Sequence, residues 1–189
     1  TRDPLPIASL LAERYPGTVA MSYIPAVAWV HTLKLAEVTG EASWRDKVLG
    51  QVRPWLRGEQ PLLGETVRFS SLAGAMVFAE IATLAGDDGE AASRLAAEAV
   101  ARGAAETAPG VPEHGSGWTD DMFLGTVVAA RALDAAGLAA ATRLITNCAR
   151  RLQQPGGVFH HAPDAPVAWG RGNGFAALGI GHGNHVAAM

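Results

Sequence analysis

Residues 39–45 read Thr-Gly-Glu-Ala-Ser-Trp-Arg, residues 85–94 read Ala-Gly-Asp-Asp-Gly-Glu-Ala-Ala-Ser-Arg, and residues 136–143 read Ala-Gly-Leu-Ala-Ala-Ala-Thr-Arg. In each stretch a glycine closes one helical pattern and another begins within a few residues. Glycine suits that place because it alone turns left-handed at no steric cost. The three glycines, Gly40, Gly86 and Gly137, stand 46 and 51 residues apart. A short link makes the helices on either side antiparallel neighbours. A recurrence of about 50 residues therefore means stacked helical hairpins, as an open solenoid or a closed α/α toroid.

Working outward from those glycines, the apolar spacing predicts helices over 20–39, 42–57, 71–85, 88–107, 118–136 and 138–153. A seventh begins near Asn173 or Gly174. The first carries Ile24, Val27, Val30, Leu33 and Val38 at helical intervals, with Pro25 in or near its first turn. The second carries Trp44, Val48, Val52 and Trp55. No window of five or more residues alternates between apolar and polar, so strands lack their main signal and an almost wholly helical chain is expected. The fold class is all-α, of the (α/α)6-barrel type, incomplete at about three and a half hairpins. Residues 1–189 form one toroid domain, truncated at its C-terminal end.

The composition narrows the function classes. Of 189 residues, 49% are hydrophobic and 17% charged, which excludes a disordered chain. No uninterrupted apolar stretch reaches the roughly 18–20 residues of a membrane span. With 15 Lys plus Arg against 18 Asp plus Glu, a basic nucleic-acid footprint is absent. Cys148 is the one cysteine, so neither an internal disulfide nor a cysteine zinc cluster is available. No cofactor and no metal are expected. The chain opens at Thr1 rather than Met, which leaves upstream sequence open. The compartment expected is the cytoplasm, with a secreted or periplasmic location as the alternative. A homo-oligomer is expected if the chain is complete.

The long connections, 58–69, 108–117 and 154–173, all fall at the same end of the hairpins. They hold nearly all the polar and aromatic residues suited to chemistry, and such residues on a rigid scaffold mark a candidate site. The densest segment is Trp169-Gly-Arg-Gly-Asn-Gly-Phe175. Glycines allow a tight backbone, Arg171 offers a forked cation for a carboxylate, and Trp169 and Phe175 offer flat faces to a sugar ring. The segment lacks the Lys-Ser/Thr pair and the preceding strand of a phosphate loop. Trp118-Thr-Asp-Asp-Met-Phe-Leu124 is the second cluster. Its two acids have two readings: one serves the helix start through the macrodipole, and the other points into a cavity beside Trp118, where desolvation favours a proton-donating carboxyl. His161 and Asp164, three apart, make a weak metal signal.

Together these clusters resemble the unsaturated glycuronyl hydrolases, glycoside hydrolase families 88 and 105, and most closely the unsaturated rhamnogalacturonyl hydrolase branch. That family has a Trp-x-Asp-x-Leu/Met-Phe/Tyr-Met motif, matched by Trp118-Thr-Asp120-Asp-Met122-Phe123-Leu124. Its Gly-Leu-Phe/Tyr-x-His-x-x-Asp segment is matched by Gly157-Val-Phe159-His160-His161-Ala-Pro-Asp164, and its Trp-Gly-Arg-Gly-Asn-Gly-Trp by residues 169–175. The resemblance implies release of a 4,5-unsaturated uronic acid from the non-reducing end of a lyase-generated oligosaccharide. It places the catalytic acid at Asp120, which protonates C4 of the vinyl ether and assists addition of water at C5. It implies substrate contacts from Trp118, His161, Trp169, Arg171 and Phe175. Tyr23 stands where the family often has an aromatic residue in the first inner helix.

Three departures accompany the likeness. Ser70 occupies the place of a second functional aspartate, and a hydroxyl does not share proton chemistry at neutral pH. The family's loop histidine is not at its usual offset, and His114 is its substitute. Six hairpins need about 300 residues at this period, and the last residues, Gly181-His-Gly-Asn-His-Val-Ala-Ala-Met189, no longer read as the family helix. Beside the hydrolase stand a carbohydrate-binding homologue without catalysis, a helical scaffold, and another toroid enzyme such as a sugar epimerase or lyase.

Overall fold

The computed structural model describes residues 3–132 and 135–187, with the side chains of 132 and 182–187 excepted. The chain is mostly helical, 64% helix against 8% strand. Nine α-helices appear among the described residues: α1 (Leu5–Arg14), α2 (Tyr23–Thr39), α3 (Ala42–Leu56), α4 (Phe69–Gly74), α5 (Met76–Ile81), α6 (Asp87–Gly103), α7 (Asp120–Ala129), α8 (Ala135–Leu152) and α9 (Gly170–Ala187). Two antiparallel ribbons complete it, β1 (Glu106–Ala108) with β2 (Val111–Pro112), and β3 (His160–Ala162) with β4 (Ala165–Ala168).

The chain lays these helices down in two layers. Helices α2, α4–α5, α7 and α9 pack in succession, while α3, α6 and α8 each lie against the helix that precedes them and α1 lies on α2. Sequence composition sorts the layers. In α7, nine of ten residues are buried, and it is apolar nearly all round. Helices α6 and α8 instead carry one alanine- and leucine-rich stripe and an opposite polar face, of Glu and Arg in α6 and of Arg, Thr and Asn in α8. The core between them is closed by Trp29, fully buried, with its indole N–H donating to Gln51 at 2.7 Å. Trp55 meets Trp29 edge to face at 6.3 Å, an arrangement that adds to the large apolar area each ring removes from water. At its end α1 is tied to α3, where Lys47 donates to the carbonyls of Ala12, Glu13 and Tyr15.

The first glycine stop sits where the repeat places it: Gly40 caps α2 with φ 74°. Gly86 starts α6 with φ 91°, but the helix before it already ends at Ile81. Gly137 stops nothing: it is buried inside α8, whose alanine-rich start carries the helix through it. The fifth helix ends early, at Ala129, in a short 3-10 turn at Ala130–Ala132. Its expected continuation over 133–134 lies outside the described residues.

Other boundaries also move. Helix α1 carries no signal used in the sequence reading. The helix expected over 71–85 is two short ones, broken at Ala75, beside Gly74. A Cβ there would lie 2.7 Å from the backbone nitrogen of Ser22, so α2 approaches closer than any side chain permits. The two ribbons correct the expectation of an almost wholly helical chain: strands of two to four residues are too short to alternate visibly. Finally, α9 begins at Gly170, earlier than expected, and runs through the Gly-His-Gly-Asn-His stretch to Ala187. No helix among the described residues is long and apolar enough to cross a membrane.

Candidate functional site

Two backbone hydrogen bonds join the long connections in series. The Phe69 N–H donates to the His114 carbonyl at 3.1 Å, and the Thr119 N–H donates to the His161 carbonyl at 2.9 Å. The first ties the start of α4 to the loop before α7. The second ties the start of α7 to β3. The segments bearing the chemistry thus meet at one end of the helices.

Asp120 is the focus of that end. It opens α7 and its side chain is 12% exposed. Its Oδ1 faces Arg171 Nη2 at 3.5 Å, and its Oδ2 faces His161 Nδ1 at 3.7 Å. Both separations exceed a good hydrogen bond. Oδ2, His161 Nδ1 and the neighbouring Thr119 Oγ1 are buried and have no hydrogen-bond partner among the described residues. Buried polar atoms are normally paired. Three such atoms lie together, on two consecutive residues and the facing ring.

Aromatic rings wall this place. His161 lies between two indoles, 4.9 Å from Trp118 and 4.9 Å from Trp169. The Arg171 guanidinium stacks on Trp169 at 3.9 Å. Trp118 is 45% exposed and presents a face to solvent. Phe175, one turn along α9 from Arg171, stacks on Phe123 at 5.2 Å and meets Tyr23 edge-on at 5.9 Å. Tyr23 and Phe175 therefore join α2 to α9 beneath the cluster. The sequence places Arg171 and Asn173 in a loop, but both lie in the first turns of α9. Asn173 fastens that turn: its side-chain oxygen accepts the Phe159 N–H at 2.8 Å, and its amide donates to the carbonyls of Phe159 and Trp169.

The adjacent acids divide as the sequence allowed. Asp121 accepts from Ser116 Oγ at 2.9 Å and from the Gly117 N–H at 2.7 Å, so it holds the preceding loop. Burial pushes its carboxyl above the usual carboxylate range, against those hydrogen bonds and with help from the Asp120 charge. A carboxyl raised on folding stabilises the protein fully below its ordinary pKa and loses that contribution as pH rises through the folded value. The stability of the protein relative to Asp121→Asn should accordingly fall as pH rises above the ordinary carboxylate range, read by urea denaturation. A constant difference would mean that Asp121 titrates as in the unfolded chain.

Ser70 and His114 are half-buried beside one another's segments. Among the described residues neither makes a hydrogen bond or ion pair to Asp120. Asp164 lies exposed in the turn between β3 and β4. No group of three or more His, Cys, Asp or Glu among the described residues is placed to hold a metal ion. Cys148 is buried on α8, with its thiol pushed up to about 12 by burial and by the Asp121 charge. It should resist alkylation by iodoacetamide in the folded protein and react on unfolding; rapid labelling of native protein would contradict the buried placement.

Sequence reasoning missed Thr119 and Gly172. Thr119 is fully buried, and a Cβ on Gly172 would lie 2.3 Å from its hydroxyl. The glycine before Asn173 thus lets α9 press against the start of α7. A threonine between two motif residues carries no signal of that contact.

No protein-family model matches the chain, and no curated protein or solved structure is significantly similar to it. The chain is mostly helical, with one acid, one guanidinium and two indoles drawn together at one end.

Proposed function

We propose that the chain is a hydrolase of 4,5-unsaturated uronides, acting through Asp120, with its helices forming an arc of an α/α toroid. The observation behind this reading is the Asp120 carboxylate, nearly buried, with Arg171 at 3.5 Å and His161 at 3.7 Å, both packed against the Trp169 indole. Sugar rings stack on indoles, and a uronide carboxylate matches a guanidinium fork. The reaction needs one protonated carboxyl in a desolvated place. Asp120 gives its proton to C4 of the C4=C5 bond. Water adds at C5 and returns a proton to Asp120. The resulting hemiketal opens, and the hemiacetal left at the linkage carbon expels the leaving sugar. One water is consumed and no redox partner is needed. This differs from displacement at an anomeric carbon, so two carboxylates at a fixed spacing are not required. His161 and Trp118 would border the ring, and Trp169 would hold Arg171 in place.

A second reading, sugar binding without catalysis, is favoured by Ser70 in the position of a second carboxylate and by Asp121, whose oxygens are already taken by Ser116 and Gly117. Incubation with unsaturated oligouronides separates the two. Loss of the ultraviolet absorbance of the conjugated bond supports hydrolysis. Calorimetric binding with the absorbance intact supports the binding protein. Neither signal removes both.

A further inference from the structure

An incoming uronide and Asp120 need the same guanidinium. Arg171 reaches Asp120 from the first turn of α9, and its side chain is 53% exposed whereas that of Asp120 is 12% exposed. One edge of the planar fork therefore faces the acid while the rest of the side chain is open to solvent. Its face lies on Trp169, and a guanidinium stacked on an indole keeps that contact while its edge changes partner. The Arg171–Asp120 separation of 3.5 Å is also longer than a bidentate carboxylate pair makes. The pair is loose and replaceable.

We infer that Asp120 is an internal competitor for Arg171: in the empty site it holds the guanidinium, and a ligand carboxylate takes the guanidinium away. This rests on the uronide reading above. The remaining charged groups do not substitute for Arg171. His161 of β3 faces Oδ2 at 3.7 Å. Asp121 of α7 is committed to Ser116 and Gly117, with Arg151 and Cys148 of α8 around it. Helix α4 brings the hydroxyl of Ser70 with His114 beside it, and α6 meets α7 at the far end, Gly103 against Val128.

Glucuronate, a saturated and unreactive uronic acid, is the probe, with glucose as its neutral counterpart. By calorimetry Asp120→Asn should bind glucuronate roughly 3- to 10-fold more tightly than the parent, the scale of a partly exposed ion pair released from competition. Glucose binding should not change. By NMR the Arg171 Nε–H signal, assigned by its loss in Arg171→Lys, should shift in the parent when glucuronate is added, and should shift without ligand in Asp120→Asn. Equal or weaker glucuronate binding by Asp120→Asn overturns the competition, as does binding that leaves the Arg171 signal unmoved. If the parent binds no glucuronate, the uronide reading itself falls, and the competition with it.

Discussion

Asp120→Asn is expected to lower turnover of an unsaturated oligouronide by about 10²- to 10⁴-fold, the contribution of a positioned acid–base group. The amide is nearly the same shape as the carboxyl but has no acidic proton to give to C4 and no basic oxygen to take one from water. The change should leave the fold intact, because no hydrogen bond is made by the Asp120 side chain among the described contacts and its Oδ2 is already unpaired. Helical circular dichroism and melting temperature serve as controls. The loss should fall on kcat, and affinity for the substrate should hold or improve, since Arg171 is released. Turnover equal to that of the parent would remove Asp120 from the chemistry.

Gly179→Ala carries the second large expected effect, and its sign is the informative part. In an exposed helix interior this replacement stabilises by about 1 kcal/mol. Gly181, on the same helix, has nothing within 4 Å of a built Cβ, and Gly181→Ala should show that gain. At Gly179 a Cβ would lie 2.2 Å from the Met122 carbonyl oxygen and 2.6 Å from its carbon. The obstacle is backbone, which cannot rotate aside. Helices α7 and α9 form the most extensive helix pair in the molecule, so they must separate or tilt. Overpacking of this kind costs about 1–3 kcal/mol and sometimes more, enough to reverse the propensity gain. Stability in urea should fall accordingly relative to the parent. A stabilised Gly179→Ala variant would mean that the two helices do not approach so closely.

The sequence was most legible where one residue type has a single structural use. Gly40 and Gly86 adopt the positive φ that other residues avoid; the boundaries on both sides of Gly40 and the start of α6 after Gly86 fall within a residue of expectation, whereas the helix before Gly86 ends four residues early, at Ile81. Gly137 shows the limit: in an alanine-rich run the surrounding propensity absorbs one glycine, so the same letter inside α8 is not a stop. The neighbouring acids show another. Asp120 and Asp121 are about 100° apart around a helix, and nothing in the letters says which direction faces the indoles. Only the loop at Ser116 and Gly117, folded back over the helix start, decides it. Arg171 was legible as a chemical group but not as a helical one, because three glycines in five residues read as loop. The Asn173 latch outweighs that preference.

That latch has a consequence for how the site could be altered. Residues 159–169 leave the helical body between α8 and α9 and are clipped at their base, where Asn173 holds Phe159. His161 and Trp169 ride on this excursion and Arg171 stands at its foot in α9, while Asp120 does not. An exchange of the whole excursion at its clipped base would therefore trade ligand preference as a cassette and leave the acid in its own helix, a natural seam for grafting.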